Sequence, residues 1–340
     1  MDINEIKRLN KYYENLFQEV KKETHMEKEI KKLTPEEIKV DQMLFRCSGL
    51  ANLMTEPKSK TVYYCAGKEI TTAKYNKFID NAIANNDFNA LNHLSHQTIK
   101  PTETDLSDGV ISHIVDAYTT KKFNRFEEMH SNILSKGNEV EEDSITMVSL
   151  MNKKFFKKNE DRISNGYIMG TPDLFEGPDI NNATAIRDTK SAWSVFTFTR
   201  HKHKPLPKDY YWQGQGYMEL TGAKVCHFDF CLINTPYHIV ESEIYKQSYK
   251  CKDMVMPTWM ELQIIANHVY DKKTFDEYIH KRQLLTTNFD YETSMVYAGF
   301  VEIPMADRYY SIEIKHNQDD IDRLYKRIEL CRQYIKDNLL

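Results

Sequence analysis

The sequence predicts an α/β fold, with helices packed on a central sheet, from three observations. Apolar-rich extended segments lie near residues 165–175, 183–193 and 223–234. Residues at helical spacing flank them, at Lys136–Met151 before the first and from Tyr210 onward between the second and third. The 340 residues are 41% hydrophobic and 12% aromatic, enough for one large core or two modest ones.

Taken in order, residues 1 to about 40 read as a charged amphipathic helix, with Ile6, Leu9, Tyr13, Leu16, Phe17 and Val20 at helical spacing. That pattern is unlike the apolar block of a signal peptide, and no run reaches the length of a membrane span, so a cytoplasmic protein is expected. Residues 41–104 read as mixed helix and loop. Helices are predicted at Leu106–Tyr118 and Phe126–Met151; in the second, Val140, Ser144, Met147, Val148 and Met151 share a face. Glu141 stands at the edge of that face, where it can look toward the sheet or be one more exposed acid beside Glu139, Glu142 and Asp143. The strands near 165–175 and 183–193 are joined by EGPD and NN, which read as a hairpin turn. A helix follows, on which Tyr210, Gln213 and Tyr217 share one face and Trp212, Gln215 and Glu219 another, and then the strand at 223–234. Beyond about 240 come helical stretches near 258–285 and two strands, GFVEIPM and DRYYSIEIKH, meeting at Ala306–Asp307. A last helix carries Ile321, Leu324, Tyr325, Ile328, Cys331 and Ile335 on one face, with Asn317 or Asp319 as N-cap. The expected organisation is an N-terminal helical segment over 1–104, a core over 105–245, and a C-terminal part over 246–340 with helices, a strand pair and the final helix.

A net charge of -4 is not that of a general nucleic-acid coater. Any contact with nucleic acid should be local, through Lys153, Lys154, Lys157 and Lys158 or through Arg200–Lys208, a stretch that also reads as a solvated loop. Six cysteines include no C-x-x-C pair, and on the strand at 223–234 Cys226 and Cys231 fall on opposite faces, so reduced thiols are expected rather than a metal cluster. His201 and His203 lack partners at zinc spacing.

The chemistry concentrates between Tyr167 and Trp193. In a strand Asp188 and Lys190 project to the same side, while Thr189 points away and offers its carbonyl oxygen near the acid. The hairpin would bring Asp173 beside Asp188 although fifteen positions separate them. Carboxylate oxygens suit Mg2+ or Mn2+, and Mg2+ commonly sits on one or two carboxylates with water and phosphate completing its shell. A turn acid and a solvated ion pair account for the same residues. Gln213 and Tyr210 would bond phosphate or amine, or simply line the gap between helix and sheet.

Four short motifs occur in one order: Gly137-x-x-x-Glu141, Thr171-Pro172-Asp173, Asp188-x-Lys190 and Tyr210-x-x-Gln213-x-Gln215-x-x-Met218. Together they resemble the PD-(D/E)xK nuclease superfamily and, within it, the lambda-exonuclease or YqaJ-type viral recombinase family. The resemblance implies a restriction-endonuclease-like core, a central mixed β-sheet flanked by helices, with mainly helical N- and C-terminal elaborations. It implies that Glu141, Asp173, Asp188 and the Thr189 carbonyl bind two Mg2+ ions, that Lys190 handles the attacking water, and that Gln213 positions Lys190 or the scissile phosphate. Thr171, Ser48, Arg46 and Tyr210 become candidates for the DNA and its 5′ phosphate. Asp188 stands where the family often has Glu, one methylene shorter in reach. The implied activity is a 5′–3′ exonuclease on double-stranded DNA ends in phage-type recombination, with a single-strand annealing protein as a possible partner and a homotrimer as a possible assembly. An endonuclease of the same fold, or an inactive DNA-end-binding protein, are the alternatives. At its reference pKa a lysine is neutral in only about one copy in two thousand near pH 7, so a base role for Lys190 needs metal cations or burial to lower that value.

Overall fold

The structure, a computed structural model, describes residues 34–127, 131–251, 255–284 and 289–340. The charged helix expected over residues 1–40 lies outside them except at its end. Contacts divide the chain into two units, Met1–Asp41 and Gln42–Leu340. In the first, helix α1 (Pro35–Asp41) is capped reciprocally: the Thr34 amide donates to Glu37 Oε2 at 2.7 Å and the Glu37 amide to Thr34 Oγ1 at 3.1 Å.

The second unit is built on a four-stranded sheet. Its elements run β1 (Phe45–Arg46), α2 (Leu50–Leu53), β2 (Lys60–Cys65), β3 (Lys68–Ile70), α3 (Thr72–Ala84), β4 (Leu94–Ile99), α4 (Asp108–Phe123), α5 (Asn132–Glu139), α6 (Glu141–Asn152), β5 (Ile163–Ser164), β6 (Ile168–Gly170), β7 (Leu174–Glu176) and β8 (Ala185–Ser191). Then follow α7 (Val195–Lys202), α8 (Lys208–Thr221), β9 (Val225–Cys231), α9 (Tyr237–Ser248), α10 (Thr258–His268), α11 (Lys272–Lys281), α12 (Tyr291–Ala298), β10 (Tyr309–Lys315) and α13 (Gln318–Asn338). The central order is β10-β9-β8-β7; β8 and β9 are parallel and the outer pairs antiparallel, so the sheet is mixed and the fold α/β as predicted.

Strand alternation sorts the two faces. Ile186, Asp188 and Lys190 of β8, with Cys226, Phe228 and Phe230 of β9, face α8. Arg187 and Ser191 face α6: Ser191 and Ser144 share a 2.7 Å hydrogen bond, and Arg187 bonds Asp229 at 3.0 and 3.1 Å. Two glycines let α8 lie close. A Cβ on Gly214 would stand 2.7 Å from Ile314 Cδ1 and 2.9 Å from Phe228 Cε2, and one on Gly216 would stand 2.6 Å from Leu50 Cδ1.

Several boundaries differ from expectation. The segment 165–175 is two strands in two sheets: β6 pairs with β1 and β5, whereas β7 joins the central sheet, and the break falls at Pro172, which has no amide hydrogen for a ladder. The helix predicted over Phe126–Met151 is two helices that part at Val140 (φ -100, ψ 14), which puts Glu141 in the first turn of α6. Residues 41–104, read as helix and loop, contain a three-stranded antiparallel sheet of order β3-β2-β4, with β2 in the middle. GFVEIPM forms no strand; only Tyr309–Lys315 does, and it is the edge of the central sheet. The helical stretches expected near 258–285 are α10 and α11, while α12 was not foreseen.

The final helix matches its prediction. Asn317 caps it, and Ile321, Leu324, Ile328, Cys331 and Ile335 are fully buried, each large aliphatic side chain contributing about 1.5–3 kcal/mol. Arg332 ties it to distant chain, donating to Met43 O at 2.8 Å and Gly166 O at 2.7 Å. Helices α9–α12 enclose a separate apolar cluster around Val240, Leu262, Ile265, Phe275 and Ile279. Among the described residues no helix is long and apolar enough to cross a membrane.

Candidate active site

Pairing of β7 with β8 matches Leu174 to Arg187; continued by one residue, the register sets Asp173 across from Asp188. The hairpin thus does what the spacing asked of it. Asp173 is fixed from two sides: its Oδ2 accepts from the Thr189 amide at 2.7 Å and the Thr189 hydroxyl at 2.9 Å, while Asn159 bonds the backbone carbonyls of Asp173 (2.7 Å) and Pro172 (2.9 Å). On the α8 face, Lys190 Nζ stands 2.5 Å from Asp188 Oδ2 and donates to Gln213 Oε1 at 3.1 Å. The Gln213 amide nitrogen donates to Asp188 Oδ1 at 3.3 Å and to the Tyr217 hydroxyl at 2.9 Å. One glutamine therefore bridges the acid and the amine predicted to act together.

Burial sets the electrostatics. It pushes the Asp173 carboxyl up, and the neighbouring Asp188 charge adds to the rise, so that it titrates at about 7 despite the Thr189 and Lys190 contacts that oppose it. Burial also raises Asp188, with Lys190 opposing and the charges of Asp229 and Glu141 assisting. For Lys190 burial works toward the neutral amine, but Asp188 and Asp173 outweigh it and hold the ammonium above its ordinary value. The side chain is thus a cation at neutral pH in this arrangement, lying 4.7 Å from the centre of the Tyr210 ring.

These residues fit a divalent cation. Asp188 Oδ2 is buried and makes no hydrogen bond, having only the ion pair with Lys190, and two carboxylates side by side repel each other unless a cation stands between them. Their oxygens are the hard ligands that Mg2+ or Mn2+ takes. Glu141 is near enough for its charge to act on Asp188, but its carboxylate is engaged at 2.8 Å by Lys158 Nζ. Among the described residues no three His, Cys, Asp or Glu side chains are gathered closely enough, as they stand, to hold one ion.

Beside this cluster is a pocket of about 170 Å³ lined by Arg46, Cys47, Ser48, Arg162, Met169, Gly170, Thr171 and Tyr217. Three candidates named for the terminal phosphate meet here: Arg46, Ser48 and Thr171. The close parallel pairing of β1 with β6 brings them together, Arg46 opposite Met169. Gly170 leaves room for the Tyr217 ring, which a Cβ would approach to 2.5 Å. Neither Arg46 nor Arg162 has an ion-pair partner among the described residues, so the pocket presents two uncompensated guanidinium groups, suited to an oxyanion. Tyr210, grouped with these residues from its motif, instead stacks on Phe228 (centroids 5.6 Å apart) beneath Lys190; the tyrosine at the pocket is Tyr217.

No family model matches the sequence, and no curated protein does. Among solved structures, a phage-related exonuclease from Haemophilus somnus 129PT superposes over 88% of this chain and 96% of that one, with a TM-score of 0.52 at 18% identity. The chain has the fold of a phage exonuclease. An alkaline exonuclease (LHK-Exo) from Laribacter hongkongensis aligns over 90% of this chain and 98% of that one, at 12% identity and a TM-score of 0.44.

Within this exonuclease fold, sequence reasoning missed Arg162, Tyr217 as a pocket wall, Asn159 as the clamp behind Pro172–Asp173, and the pairing of Lys158 with Glu141. Tyr217 was legible as the third member of the Tyr210–Gln213 face, one turn beyond Gln213. Arg162 and Asn159 carry no spacing signal, because they reach the site from the connection between α6 and β5. The basic stretch Arg200–Lys208 is helical as far as Lys202, and Arg200 Nε donates to the Phe196 carbonyl at 3.2 Å.

Proposed function

We propose that this chain is a Mg2+-dependent deoxyribonuclease that degrades double-stranded DNA from its ends, 5′ to 3′, in phage-type recombination or DNA processing. The observation that carries the proposal is the joint placement of Asp173, Asp188, Lys190 and Gln213 beside a pocket whose two arginines have no ion-pair partner among the described residues. Asp173 and Asp188, with the Thr189 carbonyl, would hold the metal, and Glu141 would join them on leaving Lys158. A bound divalent cation supplies charge neutralisation at phosphorus and a more acidic water. Lys190, kept charged by its two acids, orients that water or stabilises the negative charge that develops on the phosphate, and Gln213 fixes the direction of its ammonium. Arg46, Arg162, Ser48 and Thr171 would seat the terminal phosphate so that the next phosphodiester reaches the acids.

A linear duplex labelled at an internal phosphate near its 5′ end, with or without a 5′ phosphate, and a covalently closed circle should be incubated with Mg2+. Early release of label from the phosphorylated linear substrate, slower release without the phosphate and an intact circle are expected. Asp188→Asn or Lys190→Ala should lower kcat by at least about a hundredfold. Equal cutting of the circle would establish an endonuclease instead, and unchanged cleavage by both variants would remove the catalytic assignment. The resemblance further suggests a ring-shaped homotrimer and a single-strand annealing partner; molecular mass in solution tests the first and co-purification with such a protein the second.

A further inference from the structure

Lys158 belongs to none of the four motifs, yet it is the cation that Glu141 meets. Its approach is built rather than casual. The chain leaves α6 through Lys153 in the left-handed conformation (φ 52); Phe156 then turns inward, 4% exposed, with its amide bonded to Ser149 Oγ at 3.2 Å. Asn159, 5% exposed, is held against Pro172 and Asp173. These two anchors hold the backbone on either side of Lys158, and its Nζ stands 2.8 Å from Glu141 Oε2 and 3.7 Å from Glu142 Oε1. Its neighbour Lys154 is directed elsewhere, to Glu176 at 2.6 Å.

Resting on the reading of Glu141, Asp173 and Asp188 as the metal-binding acids, we infer that Lys158 is a built-in competitor of the divalent cation: it holds Glu141 while the site is empty and must give it up for the metal shell to close. One consequence follows from its position and charge. A monovalent ammonium beside Glu141 lowers the site's affinity for a dication, both by occupying a ligand oxygen and by repulsion. The penalty is moderate, because the pair is partly open to solvent, with the two side chains 33% and 28% exposed. The site is thereby set to fill at a higher metal concentration than its acids alone would require.

The measurement is calorimetric titration of Mn2+ into the full chain without DNA, which reads binding and not turnover. Lys158→Gln should bind Mn2+ about three- to tenfold more tightly than the parent, while Lys158→Arg should stay near it. Lys154→Gln, which removes a nearby charge that does not touch Glu141, should also stay near the parent. In a Glu141→Gln background the gain from Lys158→Gln should vanish. Unchanged or weaker binding by Lys158→Gln overturns the inference, as does an equal gain in Lys154→Gln. The underlying site is judged separately by Asp188→Asn: if that variant loses Mn2+ while Lys158→Gln matches the parent, only the role of Lys158 fails, and if it binds as the parent does, both readings fail.

Discussion

Lys136 brings an amine into the interior with only backbone and rings to meet it among the described residues. It donates to the carbonyls of Ala192 (2.8 Å) and Trp193 (3.2 Å), just past the end of β8, and lies near the faces of Trp193 and Tyr270. Burial pulls its pKa from 10.5 down to about 7. Because the folded value lies below the unfolded one, the unfolded chain binds the extra proton between these limits, and stability rises with pH from about 7 to about 10.5 through this group. Urea unfolding at pH 7 and pH 9 should show the parent gaining about 1–2 kcal/mol more than Lys136→Met over that interval; parallel pH slopes would refute it. At this scale the legible residues are those whose chemistry repeats with the period of their own element: Asp188 and Lys190 two apart on a strand, Gln213 and Tyr217 four apart on a helix. Lys136, Lys158 and Arg162 were illegible as site neighbours, since a lysine or arginine of ordinary spacing does not declare which carbonyl or acid the tertiary fold will hand it.

Helix α8 shows how an element can be recognised in sequence while the reason for its composition stays hidden. Its Gln-Gly-Gln-Gly run lowers helix propensity, yet the glycines are where β9, β10 and α2 press closest. Gly214→Ala should destabilise the protein by about 1–3 kcal/mol through overpacking against Ile314 and Phe228, seen as a lower urea midpoint at unchanged m. Gly137, the glycine of the first motif, has no atom within 4 Å of an added Cβ. Gly137→Ala, inside α5, should stabilise by about 0.5–1 kcal/mol, and a loss at that position would show that the motif glycine answers to something besides packing. The sheet of β2, β3 and β4 was missed although its first turn was written plainly: Ala66 and Gly67 both have positive φ (50° and 74°) between Tyr-Tyr-Cys and Lys-Glu-Ile, a two-residue hairpin whose alanine is an uncommon choice there. The broken strand at Pro172 was likewise signalled by the proline itself.

Over the whole molecule, the central mixed sheet was foreseen but its membership was not, because β10 arrives from far along the chain and pairs across more than seventy positions with β9. The final helix then closes the other side: Arg332 binds Met43 O and Gly166 O, and Arg327 binds Asp105 O at 3.1 Å and Glu56 at 2.8 Å. Replacing Arg332 by Met leaves two carbonyls unserved and should cost about 2–4 kcal/mol, measured as a shift in the urea midpoint. Ending the chain after Arg308 should abolish the cooperative transition in circular dichroism, and a truncated protein that still unfolds in one sharp step would contradict this view of the fold. There is a consequence for biosynthesis. A ribosome delivers the acids, the lysine and the arginine pocket well before it delivers β10 and α13, so a nascent chain holds every reactive group while lacking the strand and helix that set them in place. Whatever this site can do, it becomes able to do only once β10 and α13 have been made.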